Sequence, residues 1–455
     1  MAMYGKPMTA GAPWKHIAGF AFPILCGSLL QQLYNTVDMV VVGNYAGQDE
    51  LAAIGTTGTL VFLFLAVAIG FSAGNGVLVA QHFGAGRDRE VRETAAVGIL
   101  LLLAMGLAAS AVGIVFSRFA YVRFVSVPDK ILASTLVYFR IYCAGLVFQF
   151  GYNILASILR AVGDSAATLY FLLTAAVLNI LLDLLFVGVF RWGSAGAAVA
   201  TDIAQAGSMI AAWVYMARKY PVFRFGWRDL ARKCPLLWKS PLVRETLWVG
   251  FPIALQLVIV SLGLTLIQRA VNSFGEVMTA SFSVGHRVEL YLHLPCNAIQ
   301  TTLATYTGQN IGAGRMDRVK LGARQGLTIS ILLTAVISIP VWVFADRIVM
   351  LFGLGDTAAA YCRSHIRTIA LINVILAAYV PLFGVFQGNR HTGFPTVVAL
   401  CALGSRVIVT YLWKDTVFFG ASIIWWNGAF GFCTGCLVAW IYLLSGRWKR
   451  RPAES

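Results

Sequence analysis

The chain has 455 residues, of which 59% are hydrophobic and only 12% are charged. A soluble domain carries about 25% charged residues, so this composition excludes a soluble globular protein, and equally a disordered chain or a disulfide scaffold. The formal net charge of +16 would suggest nucleic acid as the partner of a soluble domain, but basic residues in a membrane protein orient its hydrophobic segments. We therefore expect a polytopic membrane protein with no nucleic-acid partner.

Twelve segments are long and apolar enough to cross a bilayer, which takes about 20 residues of helix. Ten of them contain no Asp, Glu, Lys or Arg, and the other two contain one charge each, Asp202 and Arg406. The first is too long, and ends in too polar a stripe, for a cleaved signal peptide. In chain order the predicted spans are 17–37, 51–86, 94–117, 141–159, 165–182, 194–217, 246–268, 290–314, 325–345, 368–389, 391–413 and 416–446.

Basic residues are distributed unevenly over the predicted loops. Twenty-three Lys and Arg lie in the segments on one side of the membrane and six in those on the other, and eight of the 23 lie between residues 218 and 244. Because loops rich in Lys and Arg stay in the cytoplasm, both termini are predicted to be cytoplasmic, with the protein spanning the cell membrane.

The second half of the chain repeats motifs of the first. The segment 81–87 (QHFGAGR) recurs as 309–315 (QNIGAGR) after 228 residues, and Phe-Pro-Ile at 22–24 recurs at 251–253 after 229. Each half contains six predicted spans, and because six is even the two halves enter the membrane in the same sense. Such a parallel repeat has a pseudo-twofold axis along the membrane normal, and the substrate cavity is expected between the halves.

The repeat defines the predicted architecture. The fold class is an all-α membrane protein with twelve transmembrane helices in two six-helix lobes. The predicted parts are an N-terminal lobe over 1–217, a basic cytoplasmic connector over 218–245, and a C-terminal lobe with a basic tail over 246–455. This organisation favours a transporter over a channel or a receptor.

Most of the 19 acidic residues lie in loops, but four do not: Asp202 lies inside a predicted span, and Asp38, Asp183 and Glu289 directly adjoin one. An acid at the centre of a span costs about 2.5–3.5 kcal/mol on insertion scales, so its default interpretation is functional. Asp38 shares a helix face with Asn35, and Asp183 shares one with Asn179. A rise of about 1.5 Å per residue places both carboxylates in the outer half of the membrane, with Thr201 at a similar level.

Two kinds of chemistry fit these side chains. Two carboxylates close together in an apolar medium cannot both ionise easily, so one of them takes up a proton near physiological pH. Alternatively, carboxylate, amide and hydroxyl oxygens bind a hard cation such as Na⁺. A polar network that only holds the helices together is the structural alternative.

Several motifs, taken in their order and spacing, carry a resemblance to a known family. They are YNTVD at 34–38, LAAIG at 51–55, the two QxxGAG copies, RAVGD at 160–164, LNILLD at 178–183 and GAAVAT at 196–201. The chain resembles the multidrug and toxic compound extrusion (MATE) transporters along nearly its whole length. The resemblance implies cation-coupled export of drug-like, often cationic compounds, with no cofactor other than the coupling ion, H⁺ or Na⁺.

The resemblance also assigns roles to particular residues. It carries cation binding, position by position, onto Asp38, Asn179, Asp183 and Thr201, and Asn153 is a further candidate. Gln31 and Asn35, together with Glu289 and Arg287 of the second half, are candidates for the polar wall of the substrate cavity.

Two repeated prolines, Pro23 and Pro252, mark positions that bear on the mechanism and on the family branch. Pro23 removes a backbone hydrogen bond from the first span and permits a kink; in the family the matching proline lies where the first helix bends with the cation site, and a static kink is the alternative. Some branches carry a glutamate shortly after the proline that matches Pro252, whereas Val260 and Ser261 stand there in this chain. The sequence is therefore closer to the DinF-like than to the typical NorM-like branch, and a second-half cation site of that type is not expected.

Two other functions remain as alternatives. His286, Glu289 and His293 follow i, i+3, i+7 spacing, which suggests a metal on one helix face and an intramembrane metallohydrolase. No H-E-x-x-H motif is present and an enzyme leaves the repeat unexplained, so we expect neither an enzyme nor a transition metal. A second alternative, an exporter of lipid-linked or other anionic substrates, stays open because five arginines lie in or near second-half spans: Arg269, Arg287, Arg363, Arg367 and Arg406. The expected partners are a small-molecule substrate and membrane lipid, with the monomer as the functional unit.

Overall fold

The structure is a computed structural model of the chain, and it describes residues 5–125, 127–225, 240–417 and 419–449. Within these ranges the regular structure is helical throughout, without a β-strand. Residues 226–239 of the predicted connector, and the part of the basic tail after 449, lie outside the described residues.

Twelve long helical segments match the twelve predicted spans in chain order. Ten of them are long and apolar enough to cross a membrane, and Asp129–Ala144 and Leu146–Ala161, which meet at a 45° bend, make an eleventh span. The remaining segment, Glu276–Gly312, has 37 residues and a more polar composition than the other eleven. The prediction of an all-α membrane protein is confirmed.

Seven helices form the first six spans. They are α1 (Pro13–Tyr45), α2 (Gln48–Gly84), α3 (Asp88–Phe119), α4 (Asp129–Ala144), α5 (Leu146–Ala161), α6 (Ser165–Asp183) and α7 (Gly193–Lys219). The bend between α4 and α5 falls at Gly145. A Cβ at Gly145 would lie 1.9 Å from the carboxylate Oδ1 of Asp202 on α7, so glycine at the bend leaves room for this carboxylate.

The second half contains eight helices. They are α8 (Pro241–Asn272), α9 (Glu276–Gly312), α10 (Met316–Val343), the short α11 (Ala345–Met350), α12 (Asp356–Ala377), α13 (Val380–Gly388), α14 (Gly393–Trp413) and α15 (Ile423–Ser445). The helices α12 and α13 together form one span. They are separated just before Pro381, which lies in the first turn of α13, where its missing N–H leaves no hydrogen bond unmade.

The chain forms two compact units. Unit 1 contains the residues up to Pro7 and Phe22–Ala254, and unit 2 contains Met8–Ala21 and the chain from Leu255 onward. In unit 1, α5 packs against α2, α3 and α7; in unit 2, α9 packs against α12 and α13, and α14 packs against α15.

The repeated QxxGAG motif ends a helix in the same way in both halves. Gly86 and Gly314 have φ angles of 68° and 72°, in the left-handed region that glycine adopts most readily. The next N–H bonds back to a carbonyl of the last helical turn, from Arg87 to His82 at 3.0 Å and from Arg315 to Asn310 at 2.8 Å. The motif therefore specifies the tight stop after α2 and α9 that lets α3 and α10 begin at once.

Candidate functional site

Unit 1 contains a cavity of about 380 Å³ between α1, α2, α4, α5, α6 and α7. Its wall is made entirely of residues between 23 and 205, whereas the sequence led us to expect the substrate cavity between the two halves. Six of the predicted site residues belong to this wall: Pro23, Gln31, Asn35, Asp38, Asn153 and Thr201. The helix α1 continues through Pro23 without a break.

The carboxylates of Asp38 and Asp183 meet beside the cavity. Asp38 comes from α1 and lines the cavity, while Asp183 is the last residue of α6 and is fully buried. The two carboxyl groups are neighbours that interact directly with each other. No N–H or O–H of the described residues donates to either oxygen of Asp183 or to Oδ1 of Asp38. Because both carboxylates are acceptors when ionised, their contact requires a shared proton or a bound cation.

Asn179 and Thr201 extend this group of oxygen atoms. Asn179 lies one helical turn before Asp183, and its Nδ2 donates to Thr201 Oγ1 at 3.5 Å. The Thr201 hydroxyl in turn donates to the carbonyl of Ala197 at 3.0 Å. The amide oxygen of Asn179 has no donor among the described residues. The oxygens that the resemblance assigns to a cation site thus come from α1, α6 and α7, with several lone pairs available.

Tyrosine and glutamine side chains form much of the remaining wall. Tyr142 accepts a hydrogen bond from Gln149 Nε2 at 3.1 Å, and the Tyr152 hydroxyl donates to the carbonyl of Thr168 at 3.3 Å. Tyr34 and Tyr138 also line the cavity. Aromatic faces with polar edges suit flat, amphipathic ligands, and such faces attract organic cations.

Arg160 is a wall residue whose place the sequence did not predict. As one of the 23 Lys and Arg assigned to the predicted cytoplasmic segments, it was not expected in a cavity, but the structure places it in the cavity wall near the end of α5. Its position after a long apolar stretch made a loop the natural interpretation. The signal that could have found it is its helical spacing from Asn153, since residues seven apart share a helix face.

Asp164, at the turn between α5 and α6, belongs to a separate polar cluster. It accepts hydrogen bonds from Tyr220 Oη at 2.6 Å, Lys219 Nζ at 2.8 Å and Tyr215 Oη at 2.9 Å, and it caps α6 through the N–H of Ala167. Burial opposes ionisation of this carboxyl, but the hydrogen bonds from Lys219 and the two tyrosines outweigh it and hold the pKa of Asp164 below its usual value.

Glu289 and Arg287 lie in unit 2, away from the cavity. Arg287 is exposed, and Glu289, with 2% of its surface accessible, faces the opposite side of α9. The sequence suggested Arg287 or Arg269 as partners of Glu289. The structure surrounds it instead with Arg406 at 3.8 Å and three histidines, of which the His286 ring nitrogen Nδ1 is closest at 3.0 Å.

The other two histidines near Glu289 are His293 at 3.8 Å and His365 at 4.0 Å. Phe282 stacks on the His365 ring, and Phe432 lies under Arg406, so the cluster has aromatic walls. The described residues contain no group of three or more His, Cys, Asp or Glu arranged to hold a metal ion.

The second-half arginines do not converge on a cavity. Arg363 and Arg367 both pair with Asp346, and Arg406 donates through Nε to Asn427 at 2.9 Å as well as facing Glu289. Arg269, like Arg287, is exposed. Three of the five guanidinium groups are thus bound to acidic or amide side chains of the protein itself, and an anionic cargo is not favoured for the second half.

The helical fold, the buried carboxylate pair and the adjoining cavity define a membrane transporter. The family model MatE matches residues 23–185 and 252–412, one segment in each half of the chain, and the chain belongs to this family of transporters.

Curated relatives match the chain over nearly its whole length. It is 28% identical to the probable multidrug resistance protein YpnP of Bacillus subtilis, over 98% of both chains. It is 24% identical to the probable multidrug resistance protein NorM of Thermotoga maritima, over 96% of this chain and 93% of the relative.

A solved structure shares the fold. It is an outward-facing multidrug resistance MATE family transporter of the MOP superfamily, with a TM-score of 0.89 and 20% identity over 97% of this chain and 98% of that one. The fold and the homologues together make the chain a multi-pass membrane transporter and not an enzyme.

Proposed function

We propose that the protein is a secondary active antiporter that exports drug-like, cationic or amphipathic compounds by alternating access, driven by an inward gradient of H⁺ or Na⁺. The observation that carries this proposal is the contact between Asp38 and Asp183 beside the cavity. The names of the relatives YpnP and NorM, both probable multidrug resistance proteins, support the drug-like cargo.

The geometry supports exchange of one cation for another. Asp38 belongs both to the carboxylate pair and to the cavity wall, so a cationic cargo in the cavity and a coupling ion on the pair compete for the same negative charge. A proton or Na⁺ that binds the pair neutralises it and weakens the hold on the cargo. Its departure restores the charge and with it the affinity for the next cargo molecule.

Asn179 and Thr201 would complete the binding of Na⁺. A hard cation needs several oxygen ligands, and the lone pairs of Asn179 Oδ1 and of the carboxylates are free of protein donors among the described residues. A proton needs only the two carboxylates. Binding of Na⁺ thus requires the oxygen of Asn179, whereas binding of a proton does not. A substitution of Asn179 can therefore distinguish the two coupling ions.

Transport in proteoliposomes tests the proposal. A tenfold gradient of either ion is worth about 1.4 kcal/mol, so one ion per cycle supports about tenfold accumulation of a cationic dye. We expect Asp38→Asn and Asp183→Asn each to abolish this accumulation, and the double variant to be hardly worse, because groups that act as one unit are not additive. If Na⁺ is the coupling ion, Asn179→Leu should abolish transport. If H⁺ is the coupling ion, the same variant should still transport.

The matched control is Asp202→Asn. Asp202 is a carboxylate in the same unit and within a span, but it lies against Gly145 and outside the cavity wall, so its replacement should leave the ion coupling intact. Near-normal ion-driven accumulation by Asp38→Asn, with the wild-type protein active in the same vesicles, would refute the proposed mechanism.

The membrane topology is part of the same proposal. We propose a monomer in the cell membrane, of the DinF-like branch, with both termini in the cytoplasm. Gly47 and Gly275, at the turns before α2 and α9, have positive φ angles that other residues rarely adopt, so cysteines are better placed at the neighbouring exposed Gln48 and Glu276. In a Cys433→Ser background, an impermeant maleimide added to cells should label both positions. Labelling of either one from the inside only would contradict the topology.

A further inference from the structure

The cavity of unit 1 contains a positive charge with which no acidic group of the described residues forms an ion pair. The Arg160 side chain is half-buried in the cavity wall, near the end of α5. It makes no hydrogen bond or ion pair with any of the described residues. A guanidinium removed from bulk water without a partner is costly, so a residue of this kind in a membrane protein is a candidate for ligand binding.

The nearest acid in the sequence is already engaged. Asp164, four residues after Arg160, is 4% accessible and accepts hydrogen bonds from Lys219, Tyr215 and Tyr220. Those donors, together with the N–H of Ala167 at the cap of α6, occupy both oxygens of the Asp164 carboxylate. The RAVGD motif therefore does not hold an internal Arg–Asp ion pair, and the guanidinium is left to the cavity.

The second charge of the cavity is not paired with Arg160. Asp38 is the one acidic residue in the described wall, and no ion pair links it to Arg160. Asp38 lies 15 residues beyond Pro23 on α1, about 22 Å along the helix, and both line the cavity. Arg160 lies seven residues beyond Asn153, about 10 Å further towards the end of α5. The cavity is thus elongated and carries opposite charges at separate places.

We propose that Arg160 is a cargo-binding residue that holds an anionic group, a carboxylate or sulfonate, of a zwitterionic amphipathic compound. The planar guanidinium donates two parallel hydrogen bonds to such a group, which a lysine or an amide cannot reproduce. The aromatic body of the compound then lies among the tyrosines, with its cationic part towards Asp38. This inference rests on the proposed function, because it concerns the cargo of the same cavity.

A pair of dyes isolates the anionic group. Rhodamine B carries a free carboxylate and its ethyl ester does not, while the fluorescent ring system and its positive charge are the same. Binding of each dye to the purified protein in detergent is measured by fluorescence polarisation. Loss of a hydrogen-bonded ion pair costs about tenfold or more in affinity. We expect Arg160→Gln to raise the Kd for rhodamine B at least about tenfold and to leave the Kd for the ester unchanged, with Arg160→Lys in between.

Arg140→Gln is the matched control. Arg140 lies on α4 in the same unit, is exposed, and donates to Ser117 Oγ at 2.9 Å outside the cavity wall. Its replacement should change neither Kd. Melting temperatures of all variants are measured in parallel, so that a folding defect is recognised by an equal loss of both dyes.

Three results would overturn the inference. They are a wild-type protein that does not bind rhodamine B, an Arg160→Gln variant that binds both dyes as well as the wild type, and an Arg160→Gln variant that loses both dyes equally. The last result would mean that Arg160 has a structural or orienting role. The proposed antiport fails separately, if ester transport by Asp38→Asn remains coupled to the ion gradient.

Discussion

Replacing Glu289 by glutamine removes the negative charge around which the described residues of a buried cluster in unit 2 are arranged. The side chain is 2% accessible and faces Arg406, which is itself 9% accessible. Glutamine keeps the size and can still pair with the His286 ring, but it leaves the guanidinium of Arg406 without its counterion. Asn427 accepts a hydrogen bond from Arg406 Nε, but its amide is neutral and does not compensate the charge of the guanidinium.

Breaking a buried ion pair from one side costs about 3–5 kcal/mol, because the remaining charge stays buried. For a unit of this size we expect Glu289→Gln to lower the Tm by about 10 °C. The double variant Glu289→Gln, Arg406→Gln removes both charges and should recover most of this loss. Ion-driven transport should persist in the folded protein, since the coupling pair lies in unit 1.

Thermal unfolding of the purified single and double variants, arranged as a double-mutant cycle, measures this coupling. An additive cycle would show that Glu289 and Arg406 do not compensate each other. Loss of ion-driven transport by Glu289→Gln, with dye binding and Tm intact, would instead place the coupling site in unit 2 and overturn our assignment to unit 1.

Two further variants test the framework of unit 1. Asp164→Asn should destabilise the protein by about 1–3 kcal/mol at neutral pH, since it weakens the hydrogen bonds that Asp164 accepts from Lys219 and its neighbours. Because the pKa of Asp164 is depressed in the folded state, its contribution to stability is complete above the unfolded-state pKa and is lost as the pH falls through the folded-state pKa. The wild-type Tm should therefore approach that of Asp164→Asn in acid. A Tm difference independent of pH would contradict this account. Gly145→Ala should lower both the Tm and the transport rate, because its Cβ would meet Asp202 Oδ1, and the variant Gly145→Ala, Asp202→Gly should restore the Tm; failure of that restoration would show that the clash is not the cause.

The fold and half of the site could be predicted from the sequence because both depend on local regularities. Apolar length alone defined the spans, and the helical period placed Asp38 and Asp183 each on a polar face. Their similar depth followed from counting residues along α1 and α6. Whether the two faces meet is a question of packing between helices, and the structure answers it by bringing the carboxylates together.

The partners of charged residues were harder to predict, for a physical reason. The sequence suggested Arg287 as the ion-pair partner of Glu289 because the two are near neighbours in the chain. Residues two apart on a helix, however, point to different faces. The arginine that the structure places beside Glu289 is Arg406 of α14. The helical period of α9 gives no information about a residue on another helix. Arg160 was missed for a related reason. Basic residues near span ends are assigned to loops, and this rule does not consider a side chain that turns back into the protein.

The more polar helix α9 has a consequence for the biogenesis of the protein. It carries Glu289 into the bilayer, while Arg406 is synthesised 117 residues later. At about 5–20 residues per second, that delay is roughly 6–23 s. During this time the nascent α9 holds a carboxyl group without its eventual counterion, and it lacks α12 and α13, against which it later packs. Stable insertion of α9 therefore depends on helices that have not yet left the ribosome, and the second half of the chain is expected to mature as a group of helices retained beside the insertion machinery, not one span at a time.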